Sequence, residues 1–191
     1  MRVHLLHYPV TALGPGDRLG LWVQGCQKRC FRCIADTMQA FDERYQVSLS
    51  VLVEDIARLV THHGVHRITI TGGEPFDNED FSDFLVALRA LGFDDILCYT
   101  GYRLDNLSDD QSSQRAAALS HIDVLVDDVY VDKLNTGHPL RGSDNQTIYV
   151  LNRALEKLYK EYMQYPRQYQ THVHDNKYLV IGLLNKGESM R

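Results

Sequence analysis

Three of the four cysteines in this 191-residue chain fall within eight residues, at Cys26, Cys30 and Cys33, in the stretch "GLWVQGCQKRCFRCIAD". Three is odd for disulfides and one short of the four Cys or His ligands that close a structural zinc site. A [4Fe–4S] cluster takes one thiolate per iron, so three thiolates leave one iron open to an outside ligand. An electron can then pass from the cluster straight into whatever binds there. Structural zinc is the competing reading, with Cys98, His62, His63 or His66 as the fourth ligand. Cys98, however, sits in an apolar, β-prone segment where a thiol packs as a small core residue. Lys28, Arg29 and Arg32, interleaved with the cysteines, either offset the charge of an anionic cluster or form a solvated loop face.

A second stretch, "TGGEP" at 71–75, leaves an apolar segment with two glycines and then a carboxylate. Glycines let the backbone approach a ligand closely, and Glu74 can hold an ammonium group. The plain alternative is a Gly-Gly turn leading into a surface loop. Asp127 and Asp128 end another apolar segment, where they either meet a ligand or cap the strand end. Tyr99 and Tyr102 flank Thr100 and Gly101, and either line a pocket or pack in the core. The nine histidines show no metal-ligand spacing, and no second cysteine pair offers a further cluster.

Strands and helices must bring these segments together. Residues 19–24, 66–71, 95–100 and 122–128 read as strands, rich in β-branched and apolar residues. Residues 146–151 read as a fifth strand, and 177–184 as a closing strand paired with 169–174. Leu52, Ile56, Leu59, Val60 and His63 recur at helical spacing, with Ser48 or Ser50 as N-cap and Gly64 as the stop. Phe81, Phe84, Leu85, Leu88 and Leu91 mark a second helix, residues 112–120 a third and 152–163 a fourth. Alternating β and α implies a mostly parallel sheet with right-handed crossovers. The chain is too short for a full eight-fold barrel of about 250 residues, so an open or partial barrel fits better. The cysteine loop, "GGEP", "TGY" and "DD" then all follow carboxyl ends of strands, where parallel α/β folds gather their ligands.

Composition is ordinary for a globular domain, at 44% hydrophobic and 24% charged residues, with a formal charge of -5. It gives no reason to expect a nucleic-acid surface, a membrane span or a secretory leader. A reducing cytoplasm is the expectation, where clustered cysteines bind metal or do chemistry. One domain over 1–191 is expected, with a core of about 1–150 and a C-terminal extension of about 151–191.

"CQKRCFRC" and "TGGEP" together resemble the radical S-adenosylmethionine (SAM) superfamily. "HYPV", "GPG", "WVQGC", "YTGY", "DVLVD" and "RGSDNQ", in this order over roughly residues 7–150, are similar to its branch of anaerobic ribonucleoside-triphosphate reductase activating proteins. The resemblance implies an α/β fold, a partial (β/α)6-type barrel with mostly parallel strands. It implies that Cys26, Cys30 and Cys33 hold one [4Fe–4S] cluster, whose open iron is chelated by the methionine end of SAM. Thr71, Gly72, Gly73 and Glu74 would bind that end, and Arg32 and Ile34 would lie close to it. Tyr99 and Asp127 complete the expected cofactor set. The implied reaction is reductive cleavage of SAM to a 5′-deoxyadenosyl radical, which takes a hydrogen atom from a glycine of a partner, a glycyl-radical enzyme such as anaerobic ribonucleotide reductase. A flavodoxin-like or ferredoxin-like protein would supply the electron. Other readings are the same chemistry on a peptide or small molecule, and a non-catalytic iron–sulfur or zinc protein. Ile34-Ala35 after the third cysteine, and residues 151–191 beyond the "NQ" motif, depart from the compact members of the branch.

Overall fold

The computed structural model describes residues 1–109, 114–174 and 177–188. Six strands form one sheet in chain order: β1 (Val3–Val10), β2 (Arg18–Val23), β3 (Arg67–Gly72), β4 (Asp95–Tyr99), β5 (Val124–Val126) and β6 (Ile148–Val150). The four central strands are parallel, with Leu21 opposite Ile70, Ile70 opposite Cys98 and Cys98 opposite Leu125. The two edges are antiparallel, because neither the link from β1 to β2 nor that from β5 to β6 carries an α-helix.

Helices α1 (Leu49–His63), α2 (Phe81–Ala90), α3 (Leu104–Ser108) and α4 (Gln114–Leu119) fill the crossovers. The expected helix over 112–120 begins outside the described residues, and α4 is its described part. Helix α1 starts where its sequence says it should, with the Ser48 hydroxyl accepting from the Val51 amide. It stops at Gly64, whose left-handed φ of 63° a side chain would resist.

Alternation along the strands sends side chains to two different cores. Leu19, Leu21 and Val23 of β2, Ile68 and Ile70 of β3, Ile96 and Cys98 of β4 and Leu125 of β5 pack with Leu52, Ile56, Phe84, Leu85 and Leu88. This outer face carries all four crossover helices. Leu97, Val124 and Val126 point the other way and meet Tyr159 and Leu140. Trp22 joins Val10, Leu13 and Ile181 in a third, smaller cluster.

Those inner partners come largely from the C-terminal extension. Helix α5 (Glu156–Tyr162) follows a 3-10 turn, and β7 (Tyr169–His174) pairs with β8 (Lys177–Gly182) as a separate antiparallel hairpin. The segment 177–184 therefore pairs with 169–174 as expected, but as a separate hairpin that does not close the main sheet. Beneath α5 lies a fully buried ion pair: Arg18 grips Asp95 through both guanidinium nitrogens at 3.0 and 3.2 Å, and the Tyr159 hydroxyl donates to Asp95 at 2.6 Å. Among the described residues no helix is long and apolar enough to cross a membrane.

Candidate active site

The four segments singled out above lie beyond the carboxyl ends of β2, β3, β4 and β5, on one edge of the sheet. The cysteine loop leaves β2 at Gly25, whose φ of 97° turns the chain sharply. Its return is fixed by the Gly25 and Cys26 amides donating to the Met38 and Gln39 carbonyls. Within the loop Arg29 and Arg32 adopt left-handed backbone angles of 51° and 57°. Such angles are uncommon for a residue with a Cβ and cost about 1–2 kcal/mol each. The Cys26 sulfur accepts from the Lys28 amide at 3.4 Å.

Burial pushes the Cys26 and Cys33 thiols above the ordinary thiol range. Glu74 adds to this for Cys26, and Cys30 for Cys33. Among the described residues no three His, Cys, Asp or Glu side chains close around one point as ligands of a single ion do. Cluster thiolates each bond a different iron and need no such convergence. Cys98, the zinc reading's fourth thiol, is fully buried in the outer core. Three thiols on one loop, with an amide donating to the Cys26 sulfur and Lys28, Arg29 and Arg32 between them, are a donor set that fits a three-thiolate cluster.

The "TGGEP" segment is locked to the cysteine loop by the backbone. The Gly73 amide donates to Val23 and the Glu74 amide to the Gly25 carbonyl, both at 2.8 Å. A Cβ on Gly73 would sit 2.3 Å from that Gly25 oxygen, and one on Gly72 2.6 Å from the Val23 backbone. Both glycines are needed for this approach. Thr71, opposite Trp22, shares the inner face with Thr69.

Glu74 is buried, and its carboxylate is gripped by neutral donors. Oε1 accepts from the Thr100 hydroxyl at 2.7 Å and the Phe76 amide at 3.1 Å, and Oε2 from the Gly101 amide at 2.7 Å. Burial pushes its carboxyl up to about 7 despite these bonds, and Asp77 adds to the shift. Three of its roughly four lone-pair positions are taken, which leaves one for a ligand. Thr100 and Gly101 are partners that the residue types alone did not assign; their signal was the place of "TGY" at the end of the neighbouring strand. Lys28 lies 3.3 Å over the Tyr102 ring, and the Tyr102 hydroxyl donates to Asp77. This ties the cysteine loop to the same segment.

The remaining expected residues separate into two groups. Arg32 and Ile34 are partly exposed beside Cys33, with Phe31 at 77% exposure protruding from the loop. Tyr99 and Asp127 are occupied elsewhere. The Tyr99 hydroxyl donates to the Leu140 carbonyl, and its ring packs in the inner core. Asp127 accepts from the Leu104 and Thr147 amides, supplying the cap that the first turn of α3 lacks. Asp128 takes a left-handed φ of 74°, held by Asn145 on its carboxylate and Gln146 on its carbonyl. Asn145 and Gln146 thus organise the loop after β5, a role signalled only by their place in "RGSDNQ". Arg141 pairs with Asp144 at 2.9 Å, an ion pair within the same loop.

The family described as a 4Fe–4S single cluster domain matches residues 12–149, a span that holds all three cysteines, Glu74 and its partners. The chain is 31% identical over 159 residues to the anaerobic ribonucleoside-triphosphate reductase-activating protein of Salmonella typhi, covering 79% of this chain and 99% of that one. The chain belongs to this family. The namesake proteins of Vibrio cholerae and Enterobacteria phage T4 are 30% and 29% identical over 150 and 141 residues, covering 75% and 71% of this chain and 94% and 85% of theirs. Relatives in this activating-protein family are thus matched nearly end to end while part of this chain is left over. The cluster-domain match ends at residue 149, so α5 and the β7–β8 hairpin lie beyond it.

Proposed function

We propose that this chain is a radical SAM activating enzyme that installs a glycyl radical on an anaerobic ribonucleoside-triphosphate reductase. The observation that carries this reading is the coincidence of the family match with one connected site: the three-cysteine loop, the backbone-locked glycines and the buried Glu74. When bound, the cluster and SAM supply a reductively generated carbon radical able to take a hydrogen atom. Cys26, Cys30 and Cys33 hold the cluster. Thr71, Gly72 and Gly73 bring backbone alongside the methionine end of SAM, and Glu74 offers its remaining lone pair to the amino group. Arg32 and Ile34 flank that ligand, while Tyr99 and Asp127 shape the site from behind by fixing Leu140 and α3. The sheet is read as a partial barrel, supported by four parallel strands that deliver every site segment to one end.

The electron donor in this reading is a flavodoxin-like or ferredoxin-like protein. Lys28, Arg29 and Arg32 around the exposed Phe31 support it, since a cationic rim with an apolar tip suits an acidic partner. Free clustered thiols favour a reducing cytoplasm. The test is anaerobic reconstitution with iron and sulfide, followed by electron paramagnetic resonance with and without SAM. The expected result is a reduced-cluster signal that changes on adding SAM, 5′-deoxyadenosine as product, and a glycyl-radical doublet when an anaerobic reductase is added. A cluster indifferent to SAM refutes the enzyme reading. SAM cleavage without a doublet moves the chemistry to another substrate.

A further inference from the structure

Arg167, in the segment between α5 and β7, uses every donor it has. Its Nε and one Nη donate to the His138 carbonyl at 3.0 and 2.8 Å, and that Nη also reaches the Arg141 carbonyl at 2.7 Å. The other Nη donates to the Asn135 side chain at 3.0 Å and to the Leu184 carbonyl. A guanidinium carries five N–H bonds, and all five are spent on neutral acceptors. No carboxylate neutralises it in this set, and burial holds its pKa below the ordinary arginine value. Four of the five bonds go to the loop between β5 and β6, which folds over the site edge of the sheet.

From Asn135 the contacts continue towards the cysteines. The Asn135 amide donates to the Tyr130 hydroxyl at 3.3 Å, and that hydroxyl donates to Asp132 at 3.1 Å. The same Asp132 oxygen lies 3.7 Å from Nε of Arg32, the residue immediately before Cys33. Arg32 is one of the two left-handed arginines of the cysteine loop, a strained conformation that persists only where its surroundings hold it. Arg167 lies outside the family match and Arg32 inside it.

We propose that the C-terminal extension sets the position of the cluster-binding loop, and that Arg167 is the positioning residue through Asn135, Tyr130, Asp132 and Arg32. The extension is thereby part of the site's support and more than an appended cover for the inner face. Its consequence for the loaded enzyme rests on the function proposed above; its consequence for the cysteine loop does not.

A double-mutant cycle on the full chain tests this. Arg167→Met removes all five donors and keeps an aliphatic stem, Asp132→Asn cuts the last link without touching the extension, and the third variant combines them. Amide hydrogen exchange over residues 29–36 is read in the metal-free chain. SAM KM, kcat and the cluster midpoint potential are read after reconstitution, and thermal unfolding serves as a control. Each single variant is expected to speed exchange over 29–36 by about threefold or more, with the double variant no faster than the larger single one, because linked groups do not add. SAM KM is expected to rise by a similar factor while kcat changes less, and the cluster potential is expected to shift. Arg167→Lys, whose ammonium can keep at most three of the five bonds, is expected to fall between wild type and Arg167→Met. It carries the same test should the methionine variant not fold. Unchanged exchange over 29–36 with faster exchange in the β7–β8 hairpin would overturn the proposal, as would multiplicative, independent effects in the double variant. A wild-type chain that assembles no SAM-responsive cluster would instead sink the proposed function and leave the exchange test intact.

Discussion

Two buried carboxylates, Asp95 and Glu74, lie one at each end of the central strands, and they are treated differently. Asp95 opens β4 and meets Arg18 through two hydrogen bonds, with the Tyr159 hydroxyl as a third donor. Glu74 lies past the end of β3 and meets a hydroxyl and two backbone amides, but no cation. Asp95 has its counter-charge within the folded chain. Glu74 is solvated by dipoles and lifted to about 7 by burial. A protein stabilises the end that needs only to hold together, and leaves charge uncompensated at the end where a ligand can supply it.

The contrast is broken most severely at Asp95. Asp95→Asn leaves Arg18 charged and unpaired in the interior, and a loss of about 3–5 kcal/mol in urea unfolding is expected. Gly73→Ala comes next, because its methyl would meet the Gly25 oxygen at 2.3 Å. A destabilisation of about 1–3 kcal/mol is expected, together with loss of cluster assembly measured by iron content. Tyr159→Phe removes one hydrogen bond to a charged group and is expected to cost about 1.5–3 kcal/mol. It distinguishes the α5 anchor from the ion pair itself.

The smallest effect on stability and the sharpest on chemistry is expected from Glu74→Gln. Between about pH 4.5 and about 7 the folded chain keeps the Glu74 proton while the unfolded chain has released it. The contribution of this group is therefore complete below pH 4.5 and declines as pH rises to 7. In metal-free protein the glutamine variant should lack that slope, seen in urea midpoints across the range, and should match or exceed wild type at pH 8. Its SAM cleavage should fall to background. A glutamine variant with the wild-type slope would show that another group carries it.

Much of this arrangement was legible in the residues, and the misses have physical causes. Strand β3 and helix α1 were readable because their periodicity and caps are local: "HRITIT" is β-branched, and Ser48 and Gly64 bracket fifteen helical residues. Strand β1 was not expected. It is an edge strand, half-buried along nearly its whole length, so "VHLLHYPV" shows no clean alternation of burial. The Arg18–Asp95 pair left no local trace either, since 77 positions separate partners that meet only once the sheet has formed. The three thiols and the glycine turn were legible because their chemistry is written in consecutive residues. Tyr99 and Asp127 were expected at the cofactor from their place at strand ends. Their polar atoms instead satisfy Leu140, Leu104 and Thr147, a choice that depends on loops folding back over those ends.

The contact between Gly73 and the Gly25 carbonyl carries a further consequence. With Glu74 donating to the same oxygen and Gly73 to Val23, the two chemical motifs form a single backbone unit that cannot flex or be re-spaced in parts. Their separation behaves as a fixed gauge, like the distance between two pins in one casting. A lineage built on this casting can change what it works on only by altering what surrounds it. In this chain the material available for that lies after β5, in the loop to β6 and in the hairpin that follows.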